Sequence, residues 1–282
     1  MKNFIWIPAL CLLLLCGCAQ QVSNESTETT QTILENTNAT PPAIPEETKK
    51  PDIIECAAAE GLVTKESLKS NMPCQIRLMK QQKLEETGHA LVIEVDTGSA
   101  VLKKELSSNV IPLPHENMLY LGDVDGDDIK EILIHHNTGG LGGFGLWRTW
   151  VLKIEGAEIH TLFENFNEFD TGFESRFLDG YEMEVKNKFT GYTLVYNIKE
   201  RYGEYIDGSG KMPSGKIELD PFYVFEPKDV DDDGISEILC KQYSSIRSHA
   251  DYTGTAHSVL KFNTDTQLFE VVDAWYEPNT EG

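Results

Sequence analysis

The sequence predicts an all-β chain built from antiparallel meanders. Three observations carry this: apolar runs of strand length, hairpin punctuation between them, and a unit that recurs with its acidic residues offset by 106 positions, from Asp123 to Asp229. Leu91-Val92-Ile93-Glu94-Val95, Asp96-Thr97-Gly98-Ser99 and Ala100-Val101-Leu102 read as strand, turn, strand. Tyr181-Glu182-Met183-Glu184-Val185 and Tyr192-Thr193-Leu194-Val195-Tyr196-Asn197-Ile198 alternate in the strand manner. The recurring units span about 114–164 and 220–275, and each reads as strand, acidic loop, strand, long loop, strand, turn, strand. The turns fall at Glu155-Gly156 and Asn263-Thr264-Asp265. A small or incomplete β-propeller-like domain would use these strands, and so would a β-sandwich of two packed sheets. The length excludes a full six- or seven-bladed propeller. A short helix is expected near residues 55–70, through Ala57-Ala58-Ala59-Glu60.

The acidic loops are the main chemical signal. DVDGDDIKEIL carries Asp123, Asp125, Asp127 and Glu131, and DVDDDGISEIL carries Asp229, Asp231, Asp233 and Glu237. Carboxylates at relative positions one, three, five and nine of a tight turn converge on one point, which suits a hard cation wanting six to eight oxygens. Like charges about 5 Å apart otherwise repel by on the order of 1 kcal/mol per pair even when solvated. An EF-hand would close with Glu at position twelve, where Ile134 and Cys240 stand instead. Glu131 and Glu237 lead directly into Ile132-Leu133-Ile134 and Ile238-Leu239-Cys240, so the loops are expected between strands. The expectation is two structural calcium ions, with the carbonyls of Ile129 and Ile235 completing the ligand sets.

These loops resemble the FG-GAP and VCBS repeat family, whose calcium motif runs roughly D-x-D/N-G-D-G-x-x-D/E into an aliphatic strand. The resemblance covers about ten residues per copy and implies a β-propeller with calcium in blade hairpins. Each copy departs once: Asp128 stands where the sixth-position glycine belongs, and Asp232 stands at position four. Asp tolerates positive φ better than most residues, so both departures are compatible with the turn. Downstream, Val151-Leu152-Lys153-Ile154 is echoed by Val259-Leu260-Lys261-Phe262, an offset of 108. One loop longer by two residues accounts for the difference.

The first 17 residues read as a signal peptide: Lys2, an apolar run from Phe4 to Leu15, then Leu15-Cys16-Gly17-Cys18. The segment resembles a bacterial lipoprotein signal, which implies lipidation of Cys18 and anchoring to the cell membrane on its outer side. Residues 18–52 contain Pro41, Pro42, Pro45 and Pro51 among Thr, Glu, Asn and Gln, too few large apolar side chains to offset ordering entropy. They read as a tether, and 53–278 as the β-domain. Cys56 and Cys74 are a possible disulfide in an oxidising compartment. Cys240 occupies the place of Ile134 in the other copy and reads as a small buried hydrophobe.

A formal charge of −22 argues against nucleic-acid partners. Gly140-Leu141-Gly142-Gly143-Phe144-Gly145 has the letters of a dinucleotide fingerprint but leads into a strand-like stretch. His249, Asp251 and His257 in a polar loop, Arg247 to Ser258, offer a transition-metal alternative. Glu164, Glu168, Asp170 and Glu174 keep a glycosidase-like exported hydrolase open. A purely structural envelope or spore-surface protein is the third reading. The leading one is a non-enzymatic, extracytoplasmic binding or adhesion module for a protein or carbohydrate ligand. The loops after the acidic units, His135 to Leu146 and Tyr243 to Ser258, are its expected ligand surface.

Overall fold

The computed structural model describes residues 53–61, 74–82, 88–110, 117–138, 147–165, 169–205, 216–246 and 251–279. The signal peptide, Cys18, the tether, the glycine run 140–145, Glu168 and His249 lie outside the described residues. Among the described residues fifteen strands form four antiparallel sheets, none closed on itself, and the fold is all-β. Sheet I contains β1 (Ile53–Gly61), β2 (Cys74–Gln82), β3 (His89–Asp96) and β4 (Val101–Val110). Sheet II contains β5 (Asn117–Gly122), β6 (Glu131–Asn137), β7 (Trp147–Glu155) and β8 (Glu158–Asn165). Sheet III contains β9 (Phe173–Leu178), β10 (Glu182–Asn187) and β11 (Thr193–Asn197). Sheet IV contains β12 (Glu218–Lys228), β13 (Glu237–Ser245), β14 (Tyr252–Asn263) and β15 (Leu268–Pro278). In every sheet the strands follow chain order, the meander expected from hairpin spacing.

Alternation along the strands decides how the sheets stack. Ile132, Ile134, Trp150 and Leu152 face Ile76, Leu78, Leu91 and Ile93 in a core between sheets I and II. Leu133 and Val151, on the opposite face, join Phe222, Phe225, Ile238 and Leu260 in a core between sheets II and IV. Sheet II is therefore buried on both faces, which explains the unbroken apolar run Ile132-Leu133-Ile134. Sheet IV has longer strands, and the same face that meets sheet II reaches sheet III through Ile246, Ala256 and Tyr276, packed with Met183 and Val185. The arrangement is sheet on sheet, the layered member of the two expected architectures.

Two expectations fail in sheet I. Residues 53–61 form β1 and not a helix, because they pair with β2 from Ile53–Gln81 to Gly61–Cys74. That pairing, and the packing of Ala57 on the core, override the helix propensity of the alanines. The rest of the expected helix lies outside the described residues. The disulfide also fails. Cys56 sits at a bulge next to the Ala57–Leu78 pair, whereas Cys74 pairs with Gly61 at the far end of the hairpin. Five residues of strand separate the two levels, roughly 16 Å, well beyond the Cα distance a disulfide spans. Both side chains are thiols. One element was missed: a 3-10 helix, Lys199–Tyr205, follows β11.

Candidate metal centre

Each acidic loop joins the first two strands of its sheet, β5 to β6 and β12 to β13. The first aspartate organises the turn by accepting two backbone N–H bonds. Asp123 takes Gly126 N–H at 2.8 Å and Asp128 N–H at 2.9 Å, and Asp229 takes Asp233 N–H at 3.1 Å and Gly234 N–H at 2.9 Å. The third acid holds the exit: Asp127 accepts from Ile129 N–H at 2.9 Å, and Asp233 from Ile235 N–H at 2.8 Å. The glutamate closes the loop from the next strand, Glu131 accepting from Val124 N–H at 2.9 Å and Glu237 from Val230 N–H at 3.0 Å. Both sequence departures adopt the expected backbone. Asp128 has φ 64° where the other copy has Gly234 at φ 90°, and Asp232 has φ 58° where the other has Gly126 at φ 76°.

Carboxylate oxygens of Asp123, Asp125 and Asp127 lie within 4.8 Å of one another, as do those of Asp229, Asp231 and Glu237. Glu131 sits behind the first group and Asp233 beside the second; Ile129 and Ile235 are tied in through their amides. The residues fit a hard cation best in the first loop. There Asp125 Oδ1 and Glu131 Oε1 are buried with no hydrogen-bond partner, although Glu131 is only 1% exposed. Two unsatisfied buried acceptors are costly unless a cation or donor meets them. Burial, reinforced by the charges of Asp125 and Asp127, pushes the Glu131 carboxyl up to about 8. A bound cation would reverse that preference and hold the carboxylate ionised.

Sequence reasoning missed a lysine that reaches each loop from the third strand of its sheet. Lys153, on β7, donates to Asp125 and to Asp127 at 2.8 Å, with Glu131 Oε1 at 4.0 Å. Lys261, on β14, lies 3.3 Å from Asp231, 3.0 Å from Asp233 and 2.8 Å from Glu237. Burial alone would lower the Lys153 ammonium, but its bonds to Asp125 and Asp127 hold it above the ordinary lysine range. Glu237 and Asp233 do the same for Lys261. The signal was present in the Val-Leu-Lys echo, whose lysine stands one residue past the Leu152–Ile132 and Leu260–Ile238 pairs.

The loops also touch. Ser236 N–H donates to the Asp123 carbonyl at 2.6 Å, and a Cβ on Gly126 would come within 2.8 Å of Ile235 Cδ1. Eight carboxylates and two ammonium groups thus share one edge of the molecule.

The other candidates disperse. Residues 252–258 belong to β14 and not to a loop, and His257 stacks on Trp275 with ring centroids 4.6 Å apart. For the same reason the expected ligand loops shrink: His135–Asn137 lie in β6, and Tyr243–Ser245 in β13. Asp170 pairs with Lys188 and accepts Gly172 N–H at 2.8 Å, a structural tie. Glu164 faces Trp150 in the β7–β8 ladder. Cys240 is fully buried in the core between sheets II and IV, and burial raises its thiol pKa. Among the described residues no helix is long and apolar enough to cross a membrane.

No solved structure matches this chain. A curated relative, the uncharacterized protein YybI of Bacillus subtilis (strain 168), is 28% identical over 161 residues, covering 54% of this chain and 59% of that protein. The chain thus spans about three fifths of that relative's length. Residues 171–277, which hold nearly all of sheets III and IV, are similar to the family described as the YybI C-terminal domain.

Proposed function

We propose that this protein is a lipid-anchored, extracytoplasmic binding module whose β-domain is stabilised by calcium in its two acidic loops. The observation that carries the calcium reading is the pair of buried acceptors without a hydrogen bond, Asp125 Oδ1 within the first carboxylate cluster and Glu131 Oε1 behind it. Asp123, Asp125, Asp127 and Glu131 would hold one ion, and Asp229, Asp231, Asp233 and Glu237 the other. The role is structural, since each loop connects paired strands and binding free energy adds to folding free energy. Calcium is expected to raise the melting temperature with concentration, and magnesium to do so poorly because of its stricter octahedral shell. Asp125→Ala and Asp231→Ala should each remove about one ion in titration calorimetry. No binding at millimolar calcium, with an unchanged melting curve after chelation, would reject the reading.

Anchoring rests on Leu15-Cys16-Gly17-Cys18, and Cys18→Ala should release the protein from the membrane fraction or leave it unprocessed. The binding role is supported by the outer face of sheet IV. Lys241, His257 and Trp275 lie opposite one another across β13–β15, beside the Tyr243, Thr255 and Glu277 row. Tyr223 stacks on Tyr243 at 3.9 Å, and Tyr252 packs edge-on to Tyr243. Such a platform suits the flat faces of sugar rings or an aromatic-bearing peptide. Quenching of tryptophan fluorescence by an envelope glycan, lost in Trp275→Ala, would support the carbohydrate form of this reading.

A further inference from the structure

We propose that Lys153 and Lys261 are tethered cations, each the resident counter-charge of its acidic loop when calcium is absent, and that calcium enters a loop only as the lysine leaves it. The first half stands on contacts within the chain; the second half rests on the calcium reading above.

A lysine chosen by chance to neutralise one acidic loop would not recur on the same strand, at the same register, in a copy 106 residues away. Lys153 and Lys261 both come from the third strand of their meander, one residue past the Leu152–Ile132 and Leu260–Ile238 pairs. The two-residue difference in spacing is absorbed along β13 and β14, of 9 and 12 residues where β6 and β7 have 7 and 9, so the chain preserves the lysine's position and not its sequence distance. Each ammonium also reaches the groups an ion would need. Lys261 lies within 3.3 Å of Asp231, Asp233 and Glu237, and Lys153 meets Asp125 and Asp127 with Glu131 behind them. An ammonium and a divalent ion cannot share those oxygens at contact distance, because their own repulsion acts over the same few ångströms. Occupation by one therefore excludes the other.

The two loops should exchange unequally. Lys261 has a third of its side chain exposed and Asp231 more than half, so the ammonium can leave into water. Lys153 and Asp125 are each only 11% exposed, so that lysine is held in a tighter cage. Yet the tighter cage is the less satisfied one, since Lys153 leaves Asp125 Oδ1 and Glu131 Oε1 without a hydrogen bond.

The test uses the mature chain carrying Lys153→Met or Lys261→Met, read by calcium titration calorimetry and by melting in excess chelator. Each variant is expected to melt lower in chelator and to bind calcium at least tenfold tighter at the edited loop. If the parent binds calcium and both variants bind it no more tightly, exchange is overturned while the calcium reading stands. If neither parent nor variants bind, both the calcium reading and exchange fall, and the chelator melts alone decide the counter-charge: a drop supports it, and no drop overturns it. A second measurement keeps the proposal open to refutation if a variant does not fold. On the unmutated chain, acetylation of Lys261 by an amine reagent, followed by peptide mass spectrometry, should accelerate several-fold when calcium is added. An unchanged rate in a protein that binds calcium overturns the exchange.

Discussion

The two acidic units share strand order, turn chemistry and a lysine, yet they differ in what lies behind them. Sheet II is packed on both faces, against sheet I and against sheet IV, whereas the described core contacts of sheet IV lie on one face, and on the other Leu239, Lys241 and Tyr243 are half-buried. The same local motif therefore sits in two dielectric settings. In the first, burial pushes Glu131 up to about 8 and encloses Lys153. In the second, Lys261 is partly exposed and still reaches Glu237 at 2.8 Å. The contrast extends along the strand. Leu133 is fully buried where its counterpart Leu239 is half-buried, and His135 is fully buried where its counterpart is Lys241. Local sequence sets the loop, and tertiary layering sets its electrostatics.

The largest test of that contrast is Leu133→Ala against Leu239→Ala. Leu133 belongs to the core shared by sheets II and IV, so truncation should leave a cavity and cost about 3 kcal/mol in urea denaturation. Leu239→Ala should cost less than half as much. Equal costs would mean that the outer face of sheet IV is covered.

That asymmetry marks where sequence reasoning stopped. The loops, the hairpin at Thr97–Ala100 and the strands through Met183 and Leu194 were legible, because turn residues and alternation are local. The stacking order was not, since period-two alternation says that a strand has two faces and not which sheet meets each one. Cys56 and Cys74 misled for a related reason: their spacing suggested a bridge across a helix, and the β1–β2 register placed Cys56 in mid-strand and Cys74 at the end of the hairpin. The lysines were visible as a repeat but silent as counter-charges, because their partners lie 20 or more residues away and meet only across the ladder. For the acidic residues themselves, spacing foretold four converging carboxylates in each loop, and three lie within 4.8 Å of one another, Asp123, Asp125 and Asp127 in the first and Asp229, Asp231 and Glu237 in the second.

Acid provides the next contrast. His135 is enclosed between Trp147, stacked at 4.1 Å, and Phe225, and burial lowers its pKa to about 4. Its unfolded value is about 6.5, so the unfolded chain takes up the proton first and this histidine's contribution to stability falls as pH drops from 6.5 towards 4, while the raised Glu131 carboxyl works in the opposite direction. By pH 5 the loss should be roughly 2 kcal/mol, at 1.36 kcal/mol per unit. His135→Phe should lose less stability than the parent over that part of the pH profile. Replacing Lys241 by Met should act there only through its neighbour His257, which burial and the Lys241 charge hold below the ordinary histidine range. A parent and a His135→Phe variant with parallel profiles between pH 7 and 5 would remove the buried histidine from the account.

The glycines separate contact from conformation. Gly126 and Gly234 both adopt positive φ, but only the first lies against the other loop, with Ile235 Cδ1 at 2.8 Å from an added Cβ. Gly126→Ala should combine backbone strain with displacement of Ile235 and cost about 2 kcal/mol; Gly234→Ala, with open space around it, should cost about 1 kcal/mol from strain alone. The first substitution should also weaken calcium binding at both loops, since it disturbs their shared junction beside the Ser236–Asp123 bond. An effect confined to one loop would show that the junction carries no coupling.

The smallest effect is expected where the two units should behave alike. Asp128 and Asp232 hold positive φ on the exposed rims of their loops. Replacing either by Gly relieves a left-handed conformation that is mildly unfavourable for Asp, and removes one negative charge from the edge of a carboxylate cluster. Against this, the glycine enlarges the conformational freedom of the unfolded chain by about 0.4–1 kcal/mol. The backbone N–H that Asp128 donates to Asp123 remains in the variant, so the turn keeps its closing bond. The terms nearly cancel, and each substitution should stabilise the calcium-free protein by at most about 0.5 kcal/mol, equally in both loops and less so at high salt. Packing behind the sheets does not reach these rims, so the layering argument requires the two values to agree. A gain above about 1 kcal/mol in one loop alone would mean that the difference between the units extends from their cores to their outermost charges.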